Sequence, residues 1–205
     1  MKFSKIIIVF GAILLGLIIL YSVSSGPDNQ KYGKAINNER AEKDEFMKNS
    51  IASPFGEAKS SFDSLKYFSP NLKYKVVADL QPVENKKVVI LTTSSGEENK
   101  YLEYAWVEFE LDGAKCRLLI LEIMASGPTR GTLFLAFADE TSAKETYGAG
   151  RYLDIKKVPG ASTITLDFNK AYNPYCAYVD NFSCPFPPKE NILKVRIAAG
   201  EKIFH

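Results

Sequence analysis

The sequence predicts a mainly β domain, an antiparallel barrel or sandwich of about eight strands, preceded by an N-terminal transmembrane helix and one or two short helices. Three observations predict it. From Asn71 onward apolar residues recur at every second position in one short segment after another, compact turn-forming links such as Asp112-Gly113 join those segments, and an uncharged apolar run opens the chain.

That opening run extends from Ile6 to Leu20 behind Lys2 and Lys5, a basic segment followed by a hydrophobic one. A spanning helix needs roughly 17 to 25 residues, which Ile6 to Val23 just supplies if Tyr21 sits at the interface. Ser22-Val23-Ser24 offers a small-x-small cleavage pattern without the usual alanine, so an uncleaved anchor over residues 1–23 is favoured over a cleaved signal peptide. No cysteine follows to accept a lipid. The two lysines place the N-terminus in the cytoplasm and the body outside it.

Residues 24–33 read as a polar tether, and residues 34–205 as a single globular extracytoplasmic domain. Lys34 to Ser50 predicts a solvated helix touching the body through Ile36, Phe46 and Met47. Ser53-Pro54 breaks it. Phe62, Leu65, Tyr67 and Phe68 suit a short second helix or a turn against the sheet. Strands are expected at Tyr74 to Leu80, Val88 to Thr93, Ala105 to Leu111 and Lys115 to Met124, the last two joined by the Asp112-Gly113 hairpin turn. Thr132 to Ala138 is apolar on both faces and is expected to be central. Shorter strands follow at Tyr152 to Val158, Ser162 to Asn169 and Ile192 to Ala199.

Charge narrows the partner classes. Without Lys2 and Lys5 the 26 basic residues become 24 against 24 acidic ones, and no basic cluster exceeds Lys86-Lys87. Nucleic acid is therefore not an expected partner. Cys176 and Cys184 lie eight apart in a proline- and aromatic-rich loop, and outside the cytoplasm a disulfide between them is the expected state. Half of a metal site is the competing reading, but the sole histidine is the terminal His205, so neither a metal nor another cofactor is assigned. Cys116 fits a small buried apolar residue.

Candidate chemistry concentrates between Tyr147 and Asn191, where turn formers and hydrogen-bonding side chains crowd together. Strand parity puts Asp167 and Asn169 on one face. It makes Glu201 the end of a core-facing row through Leu193, Val195, Ile197 and Ala199, where a carboxylate needs a partner. Arg151, after Gly148-Ala149-Gly150, is the expected partner for Asp167 or Glu201, as a structural ion pair or as an arginine that reads a ligand. Asp139-Glu140-Thr141-Ser142 with Glu145 reads as a strand end running into a capped turn. No phosphate-binding loop and no Ser-His-Asp set is present.

Thr146-Tyr147-Gly148-Ala149-Gly150-Arg151-Tyr152-Leu153, Asp167-Phe168-Asn169-x-Ala171-Tyr172-Asn173-Pro174-x-Cys176-Ala177-Tyr178, Cys184-Pro185-x-Pro187-Pro188-x-Glu190-Asn191 and Ala199-Gly200-Glu201 form a long, specific pattern. By it the chain resembles the bacterial and archaeal family called domain of unknown function 1684, from about Glu39 to the end. The resemblance implies that these residues are the family's signature, and it implies no activity.

The leading functional reading is a membrane-anchored extracytoplasmic β domain that binds a small polar or carboxylate-bearing ligand through Arg151, Asn169, Tyr172 and Asn173. A hydrolase using Asp167 and Glu201 as a carboxylate pair is the second. An envelope structural or protein-interaction module, meeting a partner of unknown identity through the Tyr172 to Pro188 loop, is the third.

Overall fold

The computed structural model describes residues 27–56 and 62–205. The expected membrane anchor, residues 1–23, lies outside the described residues, and among those described no helix is long and apolar enough to cross a membrane. Helix α1 (Pro27–Asn49) starts within the expected polar tether, so residues 27–33 are its first turns. Proline at a first helical position forfeits no hydrogen bond, and Asp28 in the first turn and Lys48 in the last complement the helix dipole. Its apolar stripe is thin: Ile36 and Met47 are buried while Phe46 is 39% exposed. Phe62 to Phe68 is not helical, and its one regular contact is the bridge from Tyr67 to Glu201. Its apolar residues need not form a helix to be buried, because Phe55, Phe62, Leu65 and Tyr178 cluster around Met47 under the end of α1.

Seven strands form one antiparallel sheet curled into a half-barrel: β1 (Lys75–Pro82), β2 (Val88–Thr92), β3 (Glu98–Leu111), β4 (Ala114–Ile123), β5 (Leu133–Phe137), β6 (Arg151–Ile155) and β7 (Thr163–Asp167). The order is β6-β5-β4-β3-β1-β7, with β2 alongside the first half of the long β3. β5 is internal, as its two apolar faces require. The β3–β4 hairpin turns at Asp112 and Gly113, both at positive φ (53° and 75°), the primed geometry that matches strand twist.

The expected eighth strand at Ile192 to Ala199 is not a strand. Leu193, Val195, Ile197 and Ala199 are buried in alternation and fill the concave core with Phe109, Leu118, Phe137 and Phe168, but most of the segment pairs with no neighbouring strand. Its backbone groups are held by side chains and loops instead. Where β4 and β5 diverge, the Asn191 amide takes the place of a strand: its Oδ1 accepts from Leu119 N–H at 2.6 Å, and its Nδ2 donates to Leu119 O and Ala136 O at 2.9 and 2.8 Å. Asn191→Ala leaves all three buried groups unpaired and should lower unfolding free energy by about 3 kcal/mol in urea titrations. A loss within error of zero would mean that water replaces the amide.

Candidate functional site

The signature residues are chiefly instruments for holding backbone. Gly150 has φ +86°, and a Cβ there would lie 2.6 Å from both Phe137 O and the Pro187 ring, so only glycine lets β6 begin this close to β5. Arg151 follows, 1% exposed. Its partner is neither Asp167 nor Glu201, as expected, but Asp139, with Nη2 2.7 Å from Oδ2. Register explains the correction: Arg151 pairs with Phe137, and Asp139 lies two residues beyond Phe137 on the same side of the strand line, whereas Asp167 sits at the opposite edge of the sheet. The guanidinium also donates to the carbonyls of Ala199, Ile197 and Glu201, the last two at 3.0 and 3.3 Å. Asp139 Oδ1 accepts from Thr141 N–H and hydroxyl at 2.8 and 2.7 Å and from Ile197 N–H at 3.2 Å. Burial lowers the Arg151 pKa, and the Asp139 carboxylate opposes that shift.

Asn169 is likewise buried and does what the Asn191 amide does. Oδ1 accepts from Asn71 N–H at 2.8 Å, and Nδ2 donates to Asn71 O at 2.9 Å and to Asp167 Oδ1 at 3.1 Å. The expected strand to Asn169 ends at Asp167, and Asn169 lies in the 3-10 turn Phe168–Lys170 that Asp167 caps, so this contact is a local cap and not the shared strand face that parity assigned. Asn173 donates through Nδ2 to Lys202 O and through its N–H to Glu201 Oε2. Glu201, 1% exposed, is the buried end of its row. It meets Lys43 Nζ at 2.6 Å and the Tyr178 hydroxyl at 2.5 Å. Burial, with Glu201 beside it, pushes Tyr178 far above the ordinary tyrosine range. Asp167 accepts from the Tyr32 hydroxyl at 2.7 Å. Each candidate carboxylate thus has its own partners, and Arg151, Asn169 and Asn173 do not face a common opening.

Cys176 and Cys184 are not bonded to each other, contrary to expectation; both are free, Cys184 buried and Cys176 half-buried. They adjoin, with Cys176 N–H 3.3 Å from Cys184 Sγ and the Tyr147 hydroxyl 3.8 Å from Cys176 Sγ. The loop and its end are secured without a covalent link, since the Ser94 hydroxyl donates to Phe182 O at 3.2 Å, Ser94 N–H to Cys184 O at 2.9 Å and the Tyr152 hydroxyl to Pro185 O at 2.6 Å. Cys116 is buried, as expected. Among the described residues no three His, Cys, Asp or Glu side chains converge as a metal site.

The opening lies elsewhere. Because the half-barrel does not close, a groove of about 970 Å³ runs along the seam between β6 and β7 and reaches α1. Leu153, Val158, Ile164, Phe46 and Tyr175 give it an apolar floor and walls, and Lys75, Lys156 and Lys170 stand at its rim. Tyr172 is the one expected ligand residue on its wall, its hydroxyl bound to Asp154 at 2.8 Å and its ring under Lys43 Nζ at 4.5 Å. Lys170 pairs with Glu39 at 2.7 Å, but Lys75, opposite Asp167 in the β1–β7 register and over the Tyr32 ring at 5.3 Å, and Lys156 form no ion pair among the described residues. A smaller recess beside it, about 100 Å³, lies under α1 and brings together the expected residues Asn169, Tyr172 and Glu201 with Arg40 and Tyr67. Sequence reasoning missed Lys75, Lys156 and the seam itself, because only the strand order reveals that β6 and β7 are the sheet's two ends.

Two outcomes test this arrangement. Arg151→Met strands Asp139 in the core and should cost about 3 to 5 kcal/mol, with Arg151→Lys failing to restore the loss because an ammonium cannot span four acceptors. Burial pushes the Cys184 thiol from 9.0 up to about 12. The folded chain then keeps a proton that the unfolded chain releases, so stability should fall as pH rises between those values, and Cys184→Ala should flatten that part of the profile. A reductant-dependent melting temperature would contradict the free thiols.

No curated protein matches the chain. A solution NMR structure of an uncharacterized protein from Haloarcula marismortui is similar, at 37% identity over 87% of this chain and 98% of that one, with a TM-score of 0.65. The family described as Protein of unknown function (DUF1684) matches residues 60–202, which contain β1 to β7 and the whole signature. The signature, the sheet and the matched span therefore coincide, and the chain belongs to the DUF1684 family.

Proposed function

We propose that the chain is a membrane-anchored extracytoplasmic binding domain whose β6–β7 groove takes a small carboxylate-bearing ligand with an apolar body. The observation that carries this reading is the groove, which falls within the roughly 300 to 1,000 Å³ usual for ligand pockets and has an apolar lining under two lysines that form no ion pair among the described residues. Anchoring is supported by the uncharged run from Ile6 to Leu20 behind Lys2 and Lys5. In this reading Tyr172 contributes a groove wall, Lys75 and Lys156 attract the carboxylate, and Arg151, Asn169 and Asn173 keep the walls in place.

Hydrolysis by Asp167 and Glu201 would need both carboxylates to face one cleft with room for water. Glu201 is buried against Lys43, Tyr178 and Asn173, an arrangement that favours binding over that chemistry. Exposure of Phe186 and Ile192 is the feature that speaks for a protein-contact surface on the C-terminal loops.

Fluorescence titration with dansyl-undecanoate tests the reading. The free acid should bind, its methyl ester should bind several-fold more weakly, and Lys75→Glu with Lys156→Glu should remove the preference for the acid. Equal binding of acid and ester, or no binding of either, would sink it.

A further inference from the structure

We infer that the ligand of the β6–β7 groove is an extended peptide, bound as an added strand on the free edge of β7 with a carboxylate on Lys75 or Lys156. This rests on the ligand-binding reading of the same groove and specifies its chemistry. Leu80 N–H donates to Ser162 O at 2.8 Å, and the β1–β7 register pairs Ala78 with Ile164 and Val76 with Leu166. In an antiparallel pair the bonded residues alternate, so Ser162, Ile164 and Leu166 face β1. The main-chain N–H and C=O of Thr163 and Thr165 therefore point away from it, toward the groove.

The opposite wall repeats the pattern. Tyr152 exchanges main-chain bonds with Tyr172 at 2.8 and 3.0 Å, so the outward positions of β6 are Tyr152, Asp154 and, continuing past its end, Lys156. No described group bonds to the main chain of Thr163, Thr165 or Asp154. The groove is thus bordered by two strand edges with open donors and acceptors beside an apolar floor. An alkyl or aromatic ligand leaves those groups with water alone, whereas an extended peptide pairs them.

The chain itself shows that this seam accepts an added segment. Tyr172 already lies against β6 as a single antiparallel bridge, and the addition ends there because Pro174 begins a 3-10 turn at Tyr175–Ala177. Charge selects the occupant further. Asp154 and Asp167 accept from the Tyr172 and Tyr32 hydroxyls, while Lys75 and Lys156 form no ion pair among the described residues. A C-terminal carboxylate or an acidic side chain on the peptide complements them.

The test uses the full-length chain in detergent and a fluorescein-labelled hexapeptide of alternating valine and threonine with a free C-terminus, followed by anisotropy. The peptide should bind. N-methylation of its alternate amides should weaken binding about tenfold, as expected for the loss of a main-chain hydrogen bond or two. C-terminal amidation should weaken it as well. Thr165→Pro removes an outward N–H from an edge strand, where proline is tolerated, and should abolish binding while Thr165→Ala does not. Undiminished binding of the N-methylated peptide, or no binding of the parent, overturns the inference even if Thr165→Pro fails to fold. If dansyl-undecanoate still binds with the lysine dependence described above while the peptide does not, only the peptide inference fails. If neither binds, the groove reading fails with it.

Discussion

The buried pair of Arg151 and Asp139 is the constraint on which the rest of the structure depends. Two charges withdrawn from water are costly, and their attraction compensates only when the remaining donors and acceptors are also met. Here the guanidinium reaches three carbonyls of the C-terminal segment besides Asp139, and the carboxylate takes three further donors. One ion pair thereby joins the end of β5, the start of β6 and residues 197–201. Without it the Ile197 N–H and the carbonyls of Ile197 and Ala199, in the segment that fills the concave face of the sheet, would lose these buried partners.

The same logic recurs with asparagine. Asn191 and Asn169 each present an amide to a peptide group, accepting from its N–H and donating to its C=O, as a neighbouring strand would. Asn173 and Arg40 serve related ends, Arg40 donating to Phe68 O and Asn169 O from α1. A sheet completed by side chains in this way need not close by strand pairing. The open seam between β6 and β7 follows from that, and so does a groove whose walls keep free main-chain edges. Lysines beside those edges also discourage uncontrolled strand pairing.

Alternation made the strands legible, and the same signal misled at Ile192 to Ala199. There the alternate residues are buried as the pattern demands, but periodicity reports burial, and only a partner strand makes a ladder. Parity placed Glu201 in the core. It could not choose Asp139 for Arg151, because that choice depends on β5 and β6 being neighbours. The cysteine spacing suggested a covalent clamp, whereas hydrogen bonds from Ser94 and Tyr152 hold the loop. Of the expected ligand residues only Tyr172 lines the groove; the other polar signature residues looked functional because backbone-holding and ligand-holding require the same side chains.

Side chains give the C-terminal segment the protection that a strand would have. Native-state hydrogen exchange at the Ile197 amide measures this directly, since that N–H is bonded to Asp139 rather than to any strand. It should exchange only through global unfolding, with the same free energy as amides at the centre of β4. Exchange at the rate of an open loop, while β4 stays protected, would contradict it.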